Sequence, residues 1–305
     1  MTKILLLGSG GFIGSSIERR LKGTPDFFAL NKNQLNVLNE SNLISVLKQL
    51  KPSLVINAVG KVGGIQKNIE SPAELMMINV KTNLSIINAC HELEIRNLIQ
   101  FASACIYPLN EERGLKESDL GTGLIEQSSK GYAQAKIFGL ESYEAFNKQY
   151  GYNWQTFIPT NLYGTGDWHT DSGGHVIAML ASKFLNAKEN RQKTVEIWGD
   201  GKSLRNFLNI DDLSAAVNFY INLKSPLASV INISGDEELS ISELADIIKN
   251  IVGFEGEIIF DLTKPNGARR KLLDDSYFRG FGWKPRIKLE EGLRKYITAL
   301  NSLTP

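Results

Sequence analysis

Tyr132 and Lys136 stand four apart in "GYAQAK", the spacing that puts two side chains on one helical face. A free phenol titrates near about 10, and a neighbouring ammonium lowers that value. A tyrosine so placed can give a proton to an alkoxide formed by hydride addition to a carbonyl, or take one in reverse. Ser103 follows an apolar run at 98–102 and can hydrogen-bond the same oxygen. Two residues on is Cys105, one of only two cysteines. By itself Cys105 reads equally as a small packing residue, and Cys90, in "IINACHE", reads as helix packing.

Such chemistry needs elements that hold distant residues together. Apolar runs at 4–7, 27–30, 54–56, 98–102 and 154–158 read as buried strands. Helix-period segments at 12–21, 41–50, 73–93 and 132–150 separate them. This alternation predicts right-handed βαβ units and a doubly wound parallel sheet of Rossmann-like α/β class. After Pro159 the pattern changes. The stretch "TNLYGTGDWHTDSGGH" reads as loop, followed by a helix at 176–186 and a strand at 195–198. A strand and a helix opening at Asp211 come next; Asp211 and Asp212 read as helix-start acids. Ser240 with Glu243 forms a capping-box pattern for a helix through Val252, "GEIIF" reads as a strand, and 274–279 and 289–300 read as helices. The expected organisation is a dinucleotide-binding domain at 1–160, with 206–226 returning to it. A smaller C-terminal α/β substrate lobe takes 161–205 and 227–305.

Gly8, Gly11 and Gly14 follow the first strand and open the first helix at Phe12 and Ile13. Glycines there permit a tight turn, let a pyrophosphate approach the backbone and let helix and strand pack closely, with the helix N-terminus facing the phosphates. NAD binders usually carry an acid at the end of the second strand. Here no acid lies between Asp26 and Glu40, and Lys32 is placed to meet a 2′-phosphate, which points to NADP. Read without a ligand, Lys32 is a surface lysine.

Bulk properties exclude other classes. The 305 residues carry a net charge of +1, so no global field selects nucleic acid or an acidic membrane. No apolar stretch reaches the roughly 18 residues of a membrane span, and the glycine-broken start lacks a signal-peptide pattern. Two cysteines make no disulfide framework, and three histidines without paired spacing imply no metal site. His91 and His169 have no evident partner. The reading is a soluble cytoplasmic protein.

Together, glycine loop, strand-end serine and Tyr132/Lys136 resemble the extended short-chain dehydrogenase/reductases that act on nucleotide sugars. The 4,6-dehydratases of that superfamily carry Thr-Asp-Glu where this chain has Ser103, Ala104 and Cys105. The chain is most similar to the GDP-L-fucose synthases, nearly end to end, through "KVGGI" (61–65), "SACIYP" (103–108), "YAQAK" (132–136), "PTNLYG" (159–164), "HVIAML" (175–180), "WGDGKSLRNFLNIDD" (198–212) and "TKPNGARRKLLD" (263–274). The resemblance implies that Ser103, Tyr132 and Lys136 carry an NADPH-dependent C4 reduction. It also implies that Cys105 and His175 are base and acid for epimerisation at C3 and C5 of a GDP-4-keto-6-deoxy sugar. Without it, His175 reads as a helix-start surface histidine. The cofactor would meet Gly8, Gly11, Phe12, Ile13, Gly14, Lys32, Tyr132, Lys136 and Asn161. The sugar nucleotide would meet Asn161, His175, Lys183, Trp198, Arg205, Lys264 and Arg269. The family implies a homodimer through the long helices before strand four and around Tyr132. The chain departs from the family at Gly10 and Lys183, where relatives usually carry arginine, and in a looser 166–174 loop. Two alternatives stay open: C4 reduction alone on a related sugar such as a heptose, and a catalytically silent NADP-binding scaffold.

Overall fold

The computed structural model describes residues 2–109, 112–168, 174–264 and 266–302. The first half alternates as the sequence predicts: β1 (Ile4–Leu7), α1 (Phe12–Leu21), β2 (Phe27–Leu30), α2 (Glu40–Leu50), β3 (Leu54–Asn57), α3 (Ile65–Glu70), α4 (Pro72–Glu92), β4 (Asn97–Phe101), α5 (Lys130–Tyr150) and β5 (Asn153–Pro159). There follow β6 (Asn161–Tyr163), α6 (Val176–Glu189), β7 (Thr194–Trp198), β8 (Leu204–Asn209), α7 (Ile210–Asn222), β9 (Val230–Ile233), β10 (Glu238–Ser240), α8 (Ile241–Val252), β11 (Glu257–Asp261), β12 (Arg270–Lys271), α9 (Ser276–Arg279) and α10 (Leu289–Asn301).

The main sheet runs β2-β1-β3-β4-β5-β9, every pair parallel. Both faces are covered, which is why its strands read as continuous apolar runs. Ile4 and Leu6 of β1 pack with Ile17 and Leu21 of α1 and Leu213 and Val217 of α7. Leu5 and Leu7 point the other way, onto Leu43 and Leu47 of α2 and Ile86 of α4. Burying each such side chain contributes about 1.5–3 kcal/mol. The strand order reverses between β1 and β3, and ligands of open α/β sheets bind at such a switch point.

The second sheet has order β10-β8-β12, with β6 pairing β8 in parallel. β7 and β11 form a separate parallel pair. Two short strands differ from the expected pattern. Asn161–Tyr163, read as loop, is extended because it pairs with Phe207–Asn209. Val230–Ile233, inside the range expected for the second lobe, pairs with β5 as the sixth strand of the main sheet. Leu204–Asn209 lies in the second sheet, while the helix after it packs on the main one.

Asn206, 1% exposed, ties the two sheets. Its amide donates to Gly235 O and Glu237 O, and its carbonyl oxygen accepts from Gly235 N and Ser234 Oγ. The Ser240–Glu243 box is present, with Glu243 N donating to Ser240 Oγ and Ser240 N to Glu243 Oε2. Asn209, not an acid, caps α7 by accepting from Asp211 N. Asp212 is buried and accepts from Arg286 N and Ile287 N, so it fixes the C-terminal segment rather than only answering the helix dipole.

Candidate active site

β4 ends at Phe101, and the chain turns through extended Ser103 (φ −153°, ψ 151°) into a single helical turn at Ala104–Ile106. That turn is fixed from below. Buried Tyr107 donates to Asn232 Oδ1 at 2.7 Å, and the Asn232 amide donates to Leu115 O and Asp274 O. Sequence reading gave Asn232 no role, because its partners lie on segments 42 to 125 residues away. The fixed turn presents Ser103 and half-buried Cys105 together at the mouth of β4.

Tyr132 and Lys136 lie on the first turns of α5, with Lys136 Nζ 5.6 Å from the Tyr132 ring centre. Lys136 is 8% exposed and donates to Phe101 O at 2.9 Å. Burial holds its pKa down at about 8. The cost of keeping that ammonium charged is full below about 8 and is relieved as pH rises toward the free-lysine range. Tyr132 departs from the expected lowering. Burial first, and the Cys105 thiol second, push its phenol above the usual range, which keeps it a neutral proton donor. Burial likewise pushes the Cys105 thiol up. Ser103, then Lys271 and Lys136, pull it back, and Glu126 opposes them.

His175 is the N-cap residue of α6. Its Nδ1 lies 3.0 Å from Oδ2 of Asp167, which is 2% exposed, and its ring lies 6.3 Å from that of Phe12 at the start of α1. Burial pushes the imidazole down, but the hydrogen bond and charge of Asp167 outweigh it and raise the pKa. The stability this gives is therefore full below the ordinary histidine range and fades as pH climbs through the raised value. Asp167 was missed in the sequence. An acid eight residues before the histidine was the available signal, but it lay in a stretch read only as loop. His169 lies outside the described residues.

The glycine loop fits a dinucleotide diphosphate. Gly8 has φ +84°, open to glycine without strain, and its amide donates to Leu30 O at 2.8 Å. Gly11 is the N-cap of α1 and makes no side-chain cap hydrogen bond. A Cβ on Gly14 would overlap the Gly8 carbonyl oxygen. Gly14→Ala is thus expected to cost about 1–3 kcal/mol, read as a lower melting temperature, and to abolish dinucleotide binding by calorimetry. Lys32 is exposed just after β2, beside Asn31, whose Cβ lies 3.3 Å from where a Gly10 side chain would begin. Asn31 Oδ1 accepts from Asn33 N and Gln34 N, so Lys32 sits on a defined turn.

The other expected contacts fall into two groups. Asn161 donates to Asn206 O at the seam between sheets. Trp198, 46% exposed, has Lys264 Nζ 5.5 Å from a ring centre, a cation–π contact beside an open aromatic face. Arg205 donates to Leu204 O and Ala268 O, which ties it to the 267–268 loop. Two residues are not brought inward. Lys183 is exposed and donates to Glu196 O, and Arg269 pairs with Glu112 on the surface. The neighbours of Arg269 turn inward instead: Arg270 onto Glu238 and Lys271 onto Glu126.

A doubly wound parallel sheet, a glycine loop at its switch point and a Ser–Tyr–Lys set at the mouth of β4 define an enzyme of the short-chain dehydrogenase/reductase class. The chain belongs to the NAD dependent epimerase/dehydratase family, which matches residues 4–234. It is 37% identical over 293 residues to GDP-L-fucose synthase 1 of Arabidopsis thaliana, covering 95% of this chain and 90% of that protein. It is 34% identical over 295 residues to GDP-L-colitose synthase of Yersinia pseudotuberculosis, covering 96% of each. Among solved structures, the NADP-bound GDP-mannoheptose C4 reductase of Campylobacter jejuni superposes with a TM-score of 0.86 at 28% identity, over 98% of both chains. Among the described residues no helix is long and apolar enough to cross a membrane.

Proposed function

We propose that this chain uses NADPH to epimerise a GDP-4-keto-6-deoxy sugar at C3 and C5 and to reduce it at C4, giving GDP-L-fucose or a close relative. The observation that carries the reading is the half-buried Cys105 thiol, two residues after Ser103 at the strand mouth where Lys136 Nζ donates to Phe101 O and lies 5.6 Å from the Tyr132 ring centre. C3 and C5 both flank the C4 ketone, so removing either proton builds charge on one oxygen. Donors placed for that oxygen, Ser103 and Tyr132, serve both epimerisation and reduction. A reduced nicotinamide, when bound, supplies the hydride. Tyr132 supplies the proton, and Lys136 holds positive charge beside the phenol as it leaves.

Epimerisation removes a proton on one face and returns one on the other, which needs two titrating groups. Cys105 is the base. His175 is the acid, its Nδ1 on Asp167 and its Nε2 left to donate. Lys32 meets the cofactor 2′-phosphate, and NADP in the C. jejuni relative supports that choice. The GDP named for all three relatives supports a guanine nucleotide across Trp198 and Lys264, with Asn161 and Arg205 toward the sugar diphosphate; Lys183 would join them only by leaving Glu196 O. Arg269 would join them only by leaving Glu112.

The enzyme works in the cytoplasm as a homodimer through α4 and α5, with Met76, Met77 and Leu84 exposed on α4. A monomer mass by sedimentation overturns the dimer, and export of the chain in cell fractions overturns the compartment.

The test is turnover in deuterated water with GDP-4-keto-6-deoxymannose and NADPH. The expected product carries solvent deuterium at C3 and C5. Reduction without deuterium would leave a C4 reductase, the activity named for the C. jejuni relative. NADP binding with no turnover would leave a scaffold.

A further inference from the structure

Helix α10 reaches the segment that holds His175. Leu289, Gly292 and Tyr296 stand at i, i+3 and i+7 on α10, which places them on one helical face. That face grips both ends of the stretch from Tyr163 to Asp167. At one end the Tyr163 hydroxyl donates to Leu289 O at 3.4 Å, and Gly292 leaves room for it, since a Cβ there would overlap the Tyr163 oxygen. At the other end the Tyr296 hydroxyl donates to Asp167 O at 2.6 Å, and the Trp168 ring stacks on Tyr296, 6.1 Å between centres and 17° between planes. Tyr163, Asp167 and Tyr296 are all buried. Between the two grips the chain turns through Gly164 (φ +133°), with Asp167 N donating to Gly164 O at 3.1 Å. The carboxylate held by this clamp is the one 3.0 Å from His175 Nδ1. Burial first, and the Asp167 charge second, push the Tyr296 phenol above its usual range, so it stays a donor through neutral pH.

We propose that Tyr296 is a positioning residue: by holding the Asp167 backbone it aims the Asp167 carboxylate at Nδ1 of His175 and so fixes the direction of Nε2. The contacts run unbroken from α10 to the imidazole, Tyr296 to Asp167 and Asp167 to His175. A phenylalanine would fill the same space; the hydroxyl is set on the carbonyl of the residue that holds the histidine. Asp167 is the charged group facing the imidazole, and the Phe12 ring of α1 lies beside it. The inference uses the role of His175 proposed above, but the orientation of the imidazole does not depend on it.

The experiment follows the His175 imidazole by proton NMR against pH on the whole, substrate-free chain, with His175→Asn identifying its signal among the three histidines. Tyr296→Phe keeps the ring and its stack on Trp168 and removes only the hydroxyl. It is expected to lower the His175 midpoint by roughly 0.5 pH unit, part of the fall of about one unit expected of Asp167→Asn. In turnover the same variant should lower deuterium entry at C3 and C5 while reduction of an already epimerised sugar holds, a split that a general loss of stability would not give. An unchanged or raised midpoint, or equal loss of exchange and reduction, overturns the proposal. If Tyr296→Phe does not fold, Trp168→Ala decides, because Trp168 is 40% exposed and its ring braces Tyr296: a lowered midpoint supports the proposal, an unchanged or raised one overturns it. Full exchange in His175→Asn would sink the role proposed for His175 and leave the midpoint result standing.

Discussion

Tyr132→Phe is expected to slow C4 reduction roughly 10²–10⁴-fold, the range for loss of a positioned general acid, while solvent deuterium still enters C3 and C5 with a smaller loss, because Ser103 keeps one donor on the enolate oxygen. The hydroxyl holds no hydrogen bond among the described residues, so its removal strands no buried partner. The ring stays half-buried against Lys136. The melting temperature should therefore not move, and the loss is chemical. Because burial and Cys105 hold the phenol above its usual range, it is a full proton donor at neutral pH. Reduction by the unaltered chain should then show no loss from phenol ionisation through neutral pH. Single-turnover NADPH oxidation reads the rate, and mass spectrometry of recovered substrate reads the exchange. Equal loss of both would mean that Tyr132 serves the enolate as much as the alkoxide. Loss of neither would remove it from the chemistry.

What sequence reading recovers follows from how far each feature reaches along the chain. β1 and β3 are buried at every position, and such strands announce themselves as unbroken apolar runs. The capping box and the Tyr132/Lys136 pair need only three- and four-residue spacings. Val230–Ile233 is four residues long, and only its pairing with β5 makes it part of the main sheet. Lys271 meets Glu126 across 145 residues, and Asn232 meets Tyr107 across 125. Neither has a local pattern to betray it. Arg269 and Lys271 show the same limit within three residues. A two-residue strand turns Lys271 inward and leaves Arg269 at the surface, where composition alone treats all the basic residues of "ARRK" alike. The phenol of Tyr132 runs against the expected direction because burial, and then the Cys105 thiol, push it up, a consequence of tertiary packing that the four-residue spacing does not show.

Cys105→Ser is expected to cut deuterium entry at C3 and C5 by roughly 10²–10⁴-fold. A sugar already epimerised should still be reduced at near the normal rate. Serine is the smaller residue at a half-buried position, and the turn is held from below by Tyr107 and Asn232, so the turn after β4 survives. A hydroxyl, however, is not measurably ionised at neutral pH. The pH dependence gives the prediction its sign. The working form needs Cys105 as thiolate and His175 as imidazolium together. An ordinary thiol titrates above an ordinary imidazole, and burial raises the Cys105 thiol further. That doubly ionised form is therefore a minority at every pH. Its fraction rises to the histidine value, stays level between the two, and falls beyond the thiol value. The level height grows as the two values approach. Asp167 brings them closer by raising His175, and the cations beside Cys105 do so by pulling the thiol back. Asp167→Asn should therefore lower the plateau of exchange without shifting its alkaline limb, while reduction of the epimerised sugar holds. A plateau unchanged in that variant, or exchange surviving in Cys105→Ser, would take the acid or the base out of the assignment.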